Sequence, residues 1–210
     1  AEAASRRHIK LVHISTDHLF AGTRSFYREG DPPDPLNQYA KSKLLAEQWV
    51  LKANPEALVL RTNFFGWGHA GRQSFSDWII AALRTGKPLA MFDDVYFTPI
   101  LADELAKAAH CLVEKGAEGI FNLVGDERLS KHEFATRLAT ALGLPGGLIR
   151  HDKISTVNLK APRPRDMSLD NAKASDLLGD GLGRIDDYFV ALLRQENEGR
   201  RDELFQAVTE

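Results

Sequence analysis

The amino-acid sequence predicts an α/β protein whose strands pair in parallel. Short apolar runs typical of buried strands alternate with longer stretches in which apolar residues recur at helical spacing. Hydrophobic residues make up 43% and charged residues 27% of the 210 residues, which is ordinary for a globular chain and too apolar for disorder. Only two or three predicted strands precede residue 90, so we expect the sheet to be the second half of a larger one.

The predicted elements follow one another from the first apolar run onward. The predicted strands cover 8–14, 57–60, 88–92, 119–124 and, with a weaker pattern, 148–154. The predicted helices cover 35–51, 75–83, 101–114, 134–143, 170–178 and 185–195. Asp34 is the expected N-cap of the first helix, with Pro35 at its first position. Ser130 and Glu133 form a capping box ahead of the fourth helix.

Composition excludes several classes of function. The net charge of −2 shows no basic excess, so we expect no nucleic-acid partner. No apolar run approaches the roughly 20 residues of a membrane helix, so we expect no membrane contact. The single cysteine, Cys111, excludes an internal disulfide and a cysteine-cluster metal site, and the seven histidines lack ligand spacing, so we expect no metal. We expect a reducing compartment, the cytoplasm. Trp49, Trp78 and Cys111 lie on apolar helical stripes and are predicted to be core residues.

Tyr39 and Lys43 are the central pair of candidate catalytic residues. The segment NQYAKSK places them at i and i+4, so they share one face of the predicted helix. A free tyrosine has a pKa of about 10, and a lysine ammonium one turn away favours the phenolate. Such a tyrosine can give a proton to a carbonyl oxygen or take one from an alcohol. The spacing alone is a weak signal, because a solvated helix face shows it equally well.

A second candidate group follows the first predicted strand. Ser15, Thr16 and Asp17 come directly after its apolar run. Open α/β sheets bind ligands at the carboxyl ends of their strands, where a hydroxyl could bond a substrate carbonyl beside Tyr39. Ordinary turn chemistry at a strand end explains the same residue types.

Several ordered motifs together carry a resemblance to a known family. LVHISTDHLFAG, GDPPDPLNQYAKSKLLAE and VLRTNFFGWG resemble the extended short-chain dehydrogenase/reductases, and within them the dTDP-4-dehydrorhamnose reductases and related sugar-nucleotide reductases. FDDVYFTPILADELAKAA, GIFNLVG with SKHEFA, and Arg163-Pro164 with Leu169 resemble later segments of that family. The resemblance spans about residues 9 to 195.

The resemblance implies a fold, a division of the chain and a set of site residues. It implies the C-terminal part of a Rossmann-type parallel sheet with a smaller α/β substrate-binding lobe, divided into 1–87, which carries the catalytic residues, and 88–210, mainly the lobe with C-terminal helices. The implied catalytic residues are Thr16, Tyr39 as acid/base and Lys43. The implied cofactor-binding residues are Ser15, Tyr39, Lys43 and Thr62. The implied substrate-binding residues are Asp17, Asn63, Phe64 and Arg163.

The implied reaction is reduction of a nucleotide-activated 4-keto sugar by NADPH or NADH. The family's glycine-rich strand–loop–helix, which binds the cofactor pyrophosphate, is absent here and is expected before residue 1. The chain also begins with Ala rather than Met, so we expect it to be incomplete and to bind cofactor poorly alone. The implied partner is a sugar nucleotide, and a homodimer is compatible with the family.

Other interpretations remain open. The loop Gly66-Trp67-Gly68-His69-Ala70-Gly71 is a literal G-x-G-x-x-G between a predicted strand and a predicted helix. We interpret it instead as a flexible active-site loop, because polar residues precede its first glycine. A sugar-nucleotide epimerase or dehydratase of the same superfamily is an alternative activity, although no glutamate follows Asp17 as a dehydratase would need. A regulatory or binding subunit with the same fold and no catalysis is the other alternative.

Overall fold

The structure is a computed structural model that describes residues 1–69 and 71–206, apart from the side chain of Phe205. Its strands are β1 (Val12–Ile14), β2 (Leu58–Arg61), β3 (Phe64–Phe65), β4 (Leu89–Phe92), β5 (Tyr96–Phe97), β6 (Ile100–Leu101), β7 (Gly119–Asn122), β8 (Leu129–Ser130) and β9 (Ile149–Asp152). Its α-helices are α1 (Glu2–Arg6), α2 (Gln38–Ala53), α3 (Phe75–Arg84), α4 (Ala102–Glu114), α5 (Lys131–Ala141), α6 (Ala172–Leu178), α7 (Ile185–Asn197) and α8 (Arg200–Gln206).

A three-stranded parallel sheet is the frame of the site. Its strand order is β1-β2-β7, and β2 lies in the middle with all four residues buried. Val59 is registered against His13 on one side and Ile120 on the other. Helices connect these strands, as parallel pairing requires. The mixed α/β architecture with parallel strands confirms the predicted fold class.

The strand β7 joins this sheet from the later part of the chain. The predicted division into 1–87 and 88–210 therefore does not coincide with a division of the sheet, because β7 pairs with β2 across it. The assignment of residues 88–210 as mainly a substrate-binding lobe stays a prediction.

Three two-stranded sheets accompany the three-stranded sheet in the described part of the chain. The pairs β3–β6 and β4–β9 are parallel, and β5–β8 is antiparallel. A cluster of buried aromatic rings packs beside them: Phe65, Phe97, Phe134 and Phe189 are each at most 2% exposed. The rings of Phe65 and Phe134 meet edge to face with centroids 5.0 Å apart. The cluster ties α5 and α7 to the short strands.

The first long helix begins later than predicted. Asn37, and not Asp34, is the N-cap of α2, and its Oδ1 accepts a hydrogen bond from the backbone N–H of Ala40 (2.9 Å). Asparagine is among the strongest N-cap residues. This start puts Tyr39 in the first turn.

Three residues predicted to lie in the core are exposed. Trp49 is 68% and Trp78 is 43% exposed, and Cys111 is also exposed. On α2 the buried positions are Ala40 and Glu47, because the buried ion pair of Glu47 with Arg61 occupies the face that packs on the sheet. Trp49 therefore points elsewhere, and the corrected interpretation places it on the surface.

Candidate active site

A cavity of about 890 Å³ opens where β1 and β2 end. Eight of the nine predicted site residues line it: Ser15, Thr16, Asp17, Tyr39, Thr62, Asn63, Phe64 and Arg163. The ninth, Lys43, does not line the cavity. Both strands run in the same direction, so the polar residues that follow them meet at one edge of the sheet.

A buried hydrogen-bond network joins the two strand ends. The Thr16 hydroxyl donates to Asp17 Oδ1 (3.3 Å) and accepts from the backbone N–H of His18 (3.3 Å). Asn63 Nδ2 donates to Asp17 Oδ2 (2.6 Å). Through this bond Asp17 links the end of β1 to the end of β2. Its side chain is buried, with 1% exposure.

Helix α2 presents Tyr39 to this cavity and ties itself to β1 through Lys43. The Lys43 ammonium donates to the carbonyl oxygen of Ile14, the last residue of β1 (2.7 Å). The ring of Tyr39 meets the ring of His18 edge to face, with centroids 5.9 Å apart. Tyr39 is 56% exposed, so its phenol can reach a bound molecule. The lysine contact therefore anchors the helix that carries the tyrosine beside Thr16.

Two hydroxyls at the cavity have no hydrogen-bond partner among the described residues. They are Ser15 Oγ and Thr62 Oγ1, on side chains that are only 5% and 3% exposed. An unpaired buried hydroxyl costs free energy unless a bound water or ligand completes its bonding. These two groups are therefore suited to hold polar atoms of a ligand in the cavity.

The glycine-rich loop after β3 packs against its own helix. The carboxylate oxygen Asp77 Oδ2 accepts from the backbone N–H groups of Gly68 (2.5 Å) and Ser74 (3.1 Å). A Cβ atom on Gly68 would lie 2.7 Å from that oxygen, which explains the glycine by packing. A side-chain carboxylate thus occupies the start of α3, where a dinucleotide fingerprint would hold phosphate. Ala70 lies outside the described residues.

Two cations face the cavity without an ion-pair partner. Arg72 and Arg163 line it, and no carboxylate oxygen of a described residue lies within 4 Å of either guanidinium. Asp17 is the only acidic residue among the described residues that line the cavity. The balance of charge therefore favours an anionic ligand.

Sequence reasoning missed several residues of the cavity. Arg72 and His18 line it and were not named as site residues, whereas Trp67 lies in the loop that was predicted to border the site. Asn37 also lines the cavity, and its amide donates to the carbonyl oxygen of Pro162 beside Arg163 (3.0 Å). An asparagine directly before an amphipathic stretch was a readable N-cap signal.

No group of three or more His, Cys, Asp or Glu side chains in the described part of the chain could hold a metal ion. Among the same residues, no helix is long and apolar enough to cross a membrane.

Comparisons with known proteins agree with the resemblance. A family model described as the RmlD substrate binding domain matches residues 1–189. The probable low-salt glycan biosynthesis reductase Agl14 of Haloferax volcanii is 32% identical over 197 residues, which cover 91% of this chain and 65% of that protein. Methionine adenosyltransferase 2 subunit beta of Pongo abelii is 33% identical over 200 residues, which cover 87% of this chain and 55% of that protein.

Solved structures show the same fold. A hypothetical dTDP-4-dehydrorhamnose reductase from Sulfolobus tokodaii superposes with a TM-score of 0.74 at 32% identity, covering 88% of this chain and 64% of that one. A dTDP-4-dehydrorhamnose reductase from Bacillus anthracis in complex with NADP superposes with a TM-score of 0.83 at 22% identity, covering 92% and 68%. The chain spans less than two thirds of the length of the curated relatives described above. By its match over residues 1–189, this chain belongs to the RmlD substrate-binding domain family.

Proposed function

We propose that this chain is the catalytic and substrate-binding part of a reductase of nucleotide-activated 4-keto sugars, similar to dTDP-4-dehydrorhamnose reductase and dependent on NADP or NAD. One observation carries the proposal: Thr16 and Tyr39 line one cavity at the carboxyl ends of two parallel strands. Relatives named as reductases, one of them solved with NADP, support the reaction class.

The proposed role of the chain's own residues is the transfer of one proton to the substrate. Tyr39 protonates the oxygen of the sugar carbonyl as it becomes an alcohol. Thr16 donates a hydrogen bond to the same oxygen by turning its hydroxyl proton away from Asp17, which its long 3.3 Å bond there permits. Lys43 has three N–H donors and uses one for Ile14, so its other donors stay available. Its position one turn after Tyr39 on α2 puts both side chains on one face of the helix.

A nicotinamide cofactor would supply the hydride for this reduction when bound. The unpaired hydroxyls of Ser15 and Thr62 fit such a group, because both lie at the cavity and lack partners among the described residues. We propose that these hydroxyls, with Tyr39 and the free donors of Lys43, hold its ribose and nicotinamide.

The sugar nucleotide is proposed to bind on the other side of the same cavity. Arg163 and Arg72 offer unpaired guanidinium groups for its diphosphate, since arginine recognises phosphate with paired donors. Asp17 and Asn63 fix the strand ends beside the reacting sugar, and the half-exposed ring of Phe64 offers it an apolar face.

The decisive experiment measures oxidation of NADPH and of NADH by the purified full-length protein that contains this chain, with a dTDP-4-keto-6-deoxy sugar. Tyr39→Phe should lower kcat by at least about 100-fold, because the proton donor is lost. Tyr96→Phe is a matched control, since the Tyr96 ring stacks on Arg128, with 3.6 Å from ring centre to guanidinium carbon, and lies outside the cavity lining. Equal rates in wild type and Tyr39→Phe would contradict the proposal.

A regulatory or binding subunit is the second candidate function. The observation that favours it is the 33% identity with a protein named as a subunit beta of methionine adenosyltransferase. A chain of this kind would bind nucleotide or a partner enzyme without turnover. Ligand binding that stays intact in Tyr39→Phe, with no NADPH oxidation by the wild type, would favour this candidate over the reductase.

An epimerase or dehydratase of the same superfamily has less support. His18 follows Asp17 where a dehydratase would need a glutamate. Two dehydratase structures that share this fold are 20% and 17% identical to the chain. Product analysis after the same incubation separates these activities from reduction. Three further expectations from the sequence stay proposals. They are a homodimer, a cytoplasmic localisation and a division of the chain at residue 87.

A further inference from the structure

A short helix that follows α7 supplies one residue to the cavity wall. Helix α8 (Arg200–Gln206) lies beyond residues 1–189, which the family model matches. Leu204 of this helix lines the same cavity as Tyr39 and Thr16. Part of the wall is therefore built by an element outside the family match.

The turn before α8 makes it an element separate from α7. Helix α7 ends at Asn197, and Gly199 follows with a φ of +82°, a left-handed conformation that glycine adopts without steric cost. The backbone N–H groups of Asp202 (3.0 Å) and Glu203 (3.1 Å) donate to the carbonyl oxygen of Gly199 and begin the new helix. The chain thus changes course at Gly199, and α8 does not continue the line of α7.

One face of α8 packs against the rest of the protein. Arg201 and Leu204 are half-buried and three positions apart, so they share a face of the helix. Asp202 and Glu203, which lie between them in sequence, are exposed. The guanidinium carbon of Arg201 lies 5.5 Å from the ring centre of Trp67, which also lines the cavity. The face that carries Leu204 is therefore the one that packs beside Trp67.

Helix α7 holds both α8 and Trp67. The carboxylate of Glu196 on α7 accepts two hydrogen bonds of 2.7 Å from Arg84, and Arg201 Nη1 lies 3.6 Å from the same carboxylate. The indole N–H of Trp67 donates to the carbonyl oxygen of Leu192, also on α7 (3.2 Å). These contacts fix the position of α8 relative to the cavity wall.

We propose that α8 is a wall of the nucleotide site and that Leu204 is a specificity-determining residue, which contacts the nucleoside of the bound sugar nucleotide. Arg72 lines the cavity and belongs to the same loop as Trp67. With the keto sugar at Tyr39 and the diphosphate at Arg72, the nucleoside lies toward Trp67 and Leu204. Ligand cavities are lined mainly by apolar and aromatic side chains, and an indole beside a leucine suits a planar base.

Arg201 has a different part in the same proposal. It is a positioning residue, because it acts on the ligand through the placement of Leu204. The identity of the ligand rests on the proposed function, whereas the place of Leu204 in the cavity wall does not.

A role in packing alone is the competing explanation. In that case α8 covers Trp67 and the end of α7, and Leu204 borders the cavity without touching a ligand. The two explanations differ in one measurable respect, because only a wall of the site changes the affinity for nucleotide.

The first test is the dissociation constant for dTDP, measured by isothermal titration calorimetry on the full-length protein that contains this chain. Leu204→Ala should weaken binding by about 5- to 20-fold, since most of an apolar contact is lost. Leu177→Ala, which shortens a leucine of α6 outside the cavity lining, should leave the constant in place. Equal constants for wild type and Leu204→Ala would overturn the proposal, as would a wild type that does not bind dTDP.

The second test follows α8 itself by hydrogen exchange. Binding of dTDP should slow the exchange of the backbone amides of α8, because the ligand restrains the helix against opening. Arg201→Met should reduce this protection and weaken dTDP binding, and Arg201→Lys, which can still pair with Glu196, should restore part of both. Arg194→Met, which removes an exposed arginine of α7, is the control. Exchange in α8 that dTDP leaves unchanged would contradict the inference.

The outcome is separable from that of the reductase proposal. Neither measurement needs turnover, so both can be made on a protein that binds nucleotide without oxidising NADPH. Full turnover by the wild type together with an unchanged dTDP affinity in Leu204→Ala would refute the role of α8 and leave the reductase in place.

Discussion

Removal of the Glu47 carboxylate should be among the most destabilising single changes in this protein. Arg61 Nε lies 3.1 Å from Glu47 Oε1 and Arg61 Nη2 lies 2.9 Å from Oε2, and the two side chains are only 2% and 3% exposed. Arg61 also donates to the carbonyl oxygen of Glu29 (3.3 Å). Glu47→Ala leaves that buried guanidinium without its carboxylate, which should cost about 3–5 kcal/mol of unfolding free energy.

Urea unfolding followed by circular dichroism measures this loss directly. For a chain of this size, each kcal/mol should lower Tm by about 2–4 °C, so the thermal midpoint should fall by roughly 6–20 °C. Glu104→Ala is the matched control, because the pair of Glu104 with Lys107 is exposed and should cost less than about 1 kcal/mol. A loss below about 1 kcal/mol in Glu47→Ala would refute the reasoning that burial makes this pair costly to break.

Three further predictions concern stability. Between about pH 7 and pH 10.5 the unfolded chain binds more protons than the folded one at Lys131, whose pKa burial lowers from 10.5 to about 7. The free energy of unfolding should therefore gain from this lysine as pH rises through that window, and Lys131→Met should flatten the gain in urea titrations. Ser74→Ala removes an N-cap that accepts from the N–H of Asp77 (3.1 Å) and should cost about 1–2 kcal/mol by the same assay, with no cost contradicting the cap. Trp49→Gln should change stability by less than about 0.5 kcal/mol, and a loss above 2 kcal/mol would mean that the ring is buried in solution.

The spacing of apolar residues along the sequence predicted the main helices and strands correctly. The runs that became β1, β2, β4 and β7, and the stripes that became α2, α3, α4 and α7, differ from the predicted bounds by a few residues. The two-residue strands β3, β5, β6 and β8 were not predicted, because two residues cannot show a period. Their pairing depends on contacts between distant segments, as in Tyr96 with Ser130.

Burial was predicted less well than element type. Trp49 and Trp78 look like core residues in a one-dimensional pattern, yet both are exposed. The face of α2 that packs on the sheet is chosen by the ion pair of Glu47 with Arg61, which lies 14 positions away along the chain. Hydropathy alone ranks a glutamate far below a tryptophan for the core, so it selects the wrong face.

For the candidate site, the resemblance to a known family implied nine residues, of which eight line the cavity. Because the carboxyl ends of parallel strands meet at one edge, residues that follow two such strands can be placed together without coordinates. Arg72, which helps to complete the cavity, belongs to none of the quoted motifs. Trp67 and Lys131 do lie in quoted motifs, but only the fold places Trp67 at the cavity and the Lys131 ammonium over the ring of Phe75.

The sequence by itself determined which elements form, which strand ends carry polar groups and which tyrosine and lysine share a helix face, because all three follow from local spacing. Only the tertiary structure decided that Lys43 bonds the end of β1, that Asp17 links Thr16 to Asn63, and that Lys131 lies behind Phe75 with its charge unpaired. These contacts depend on the position and orientation in which the helices pack on the sheet. Their energies depend on burial and on distances between remote residues, which spacing along a chain does not encode.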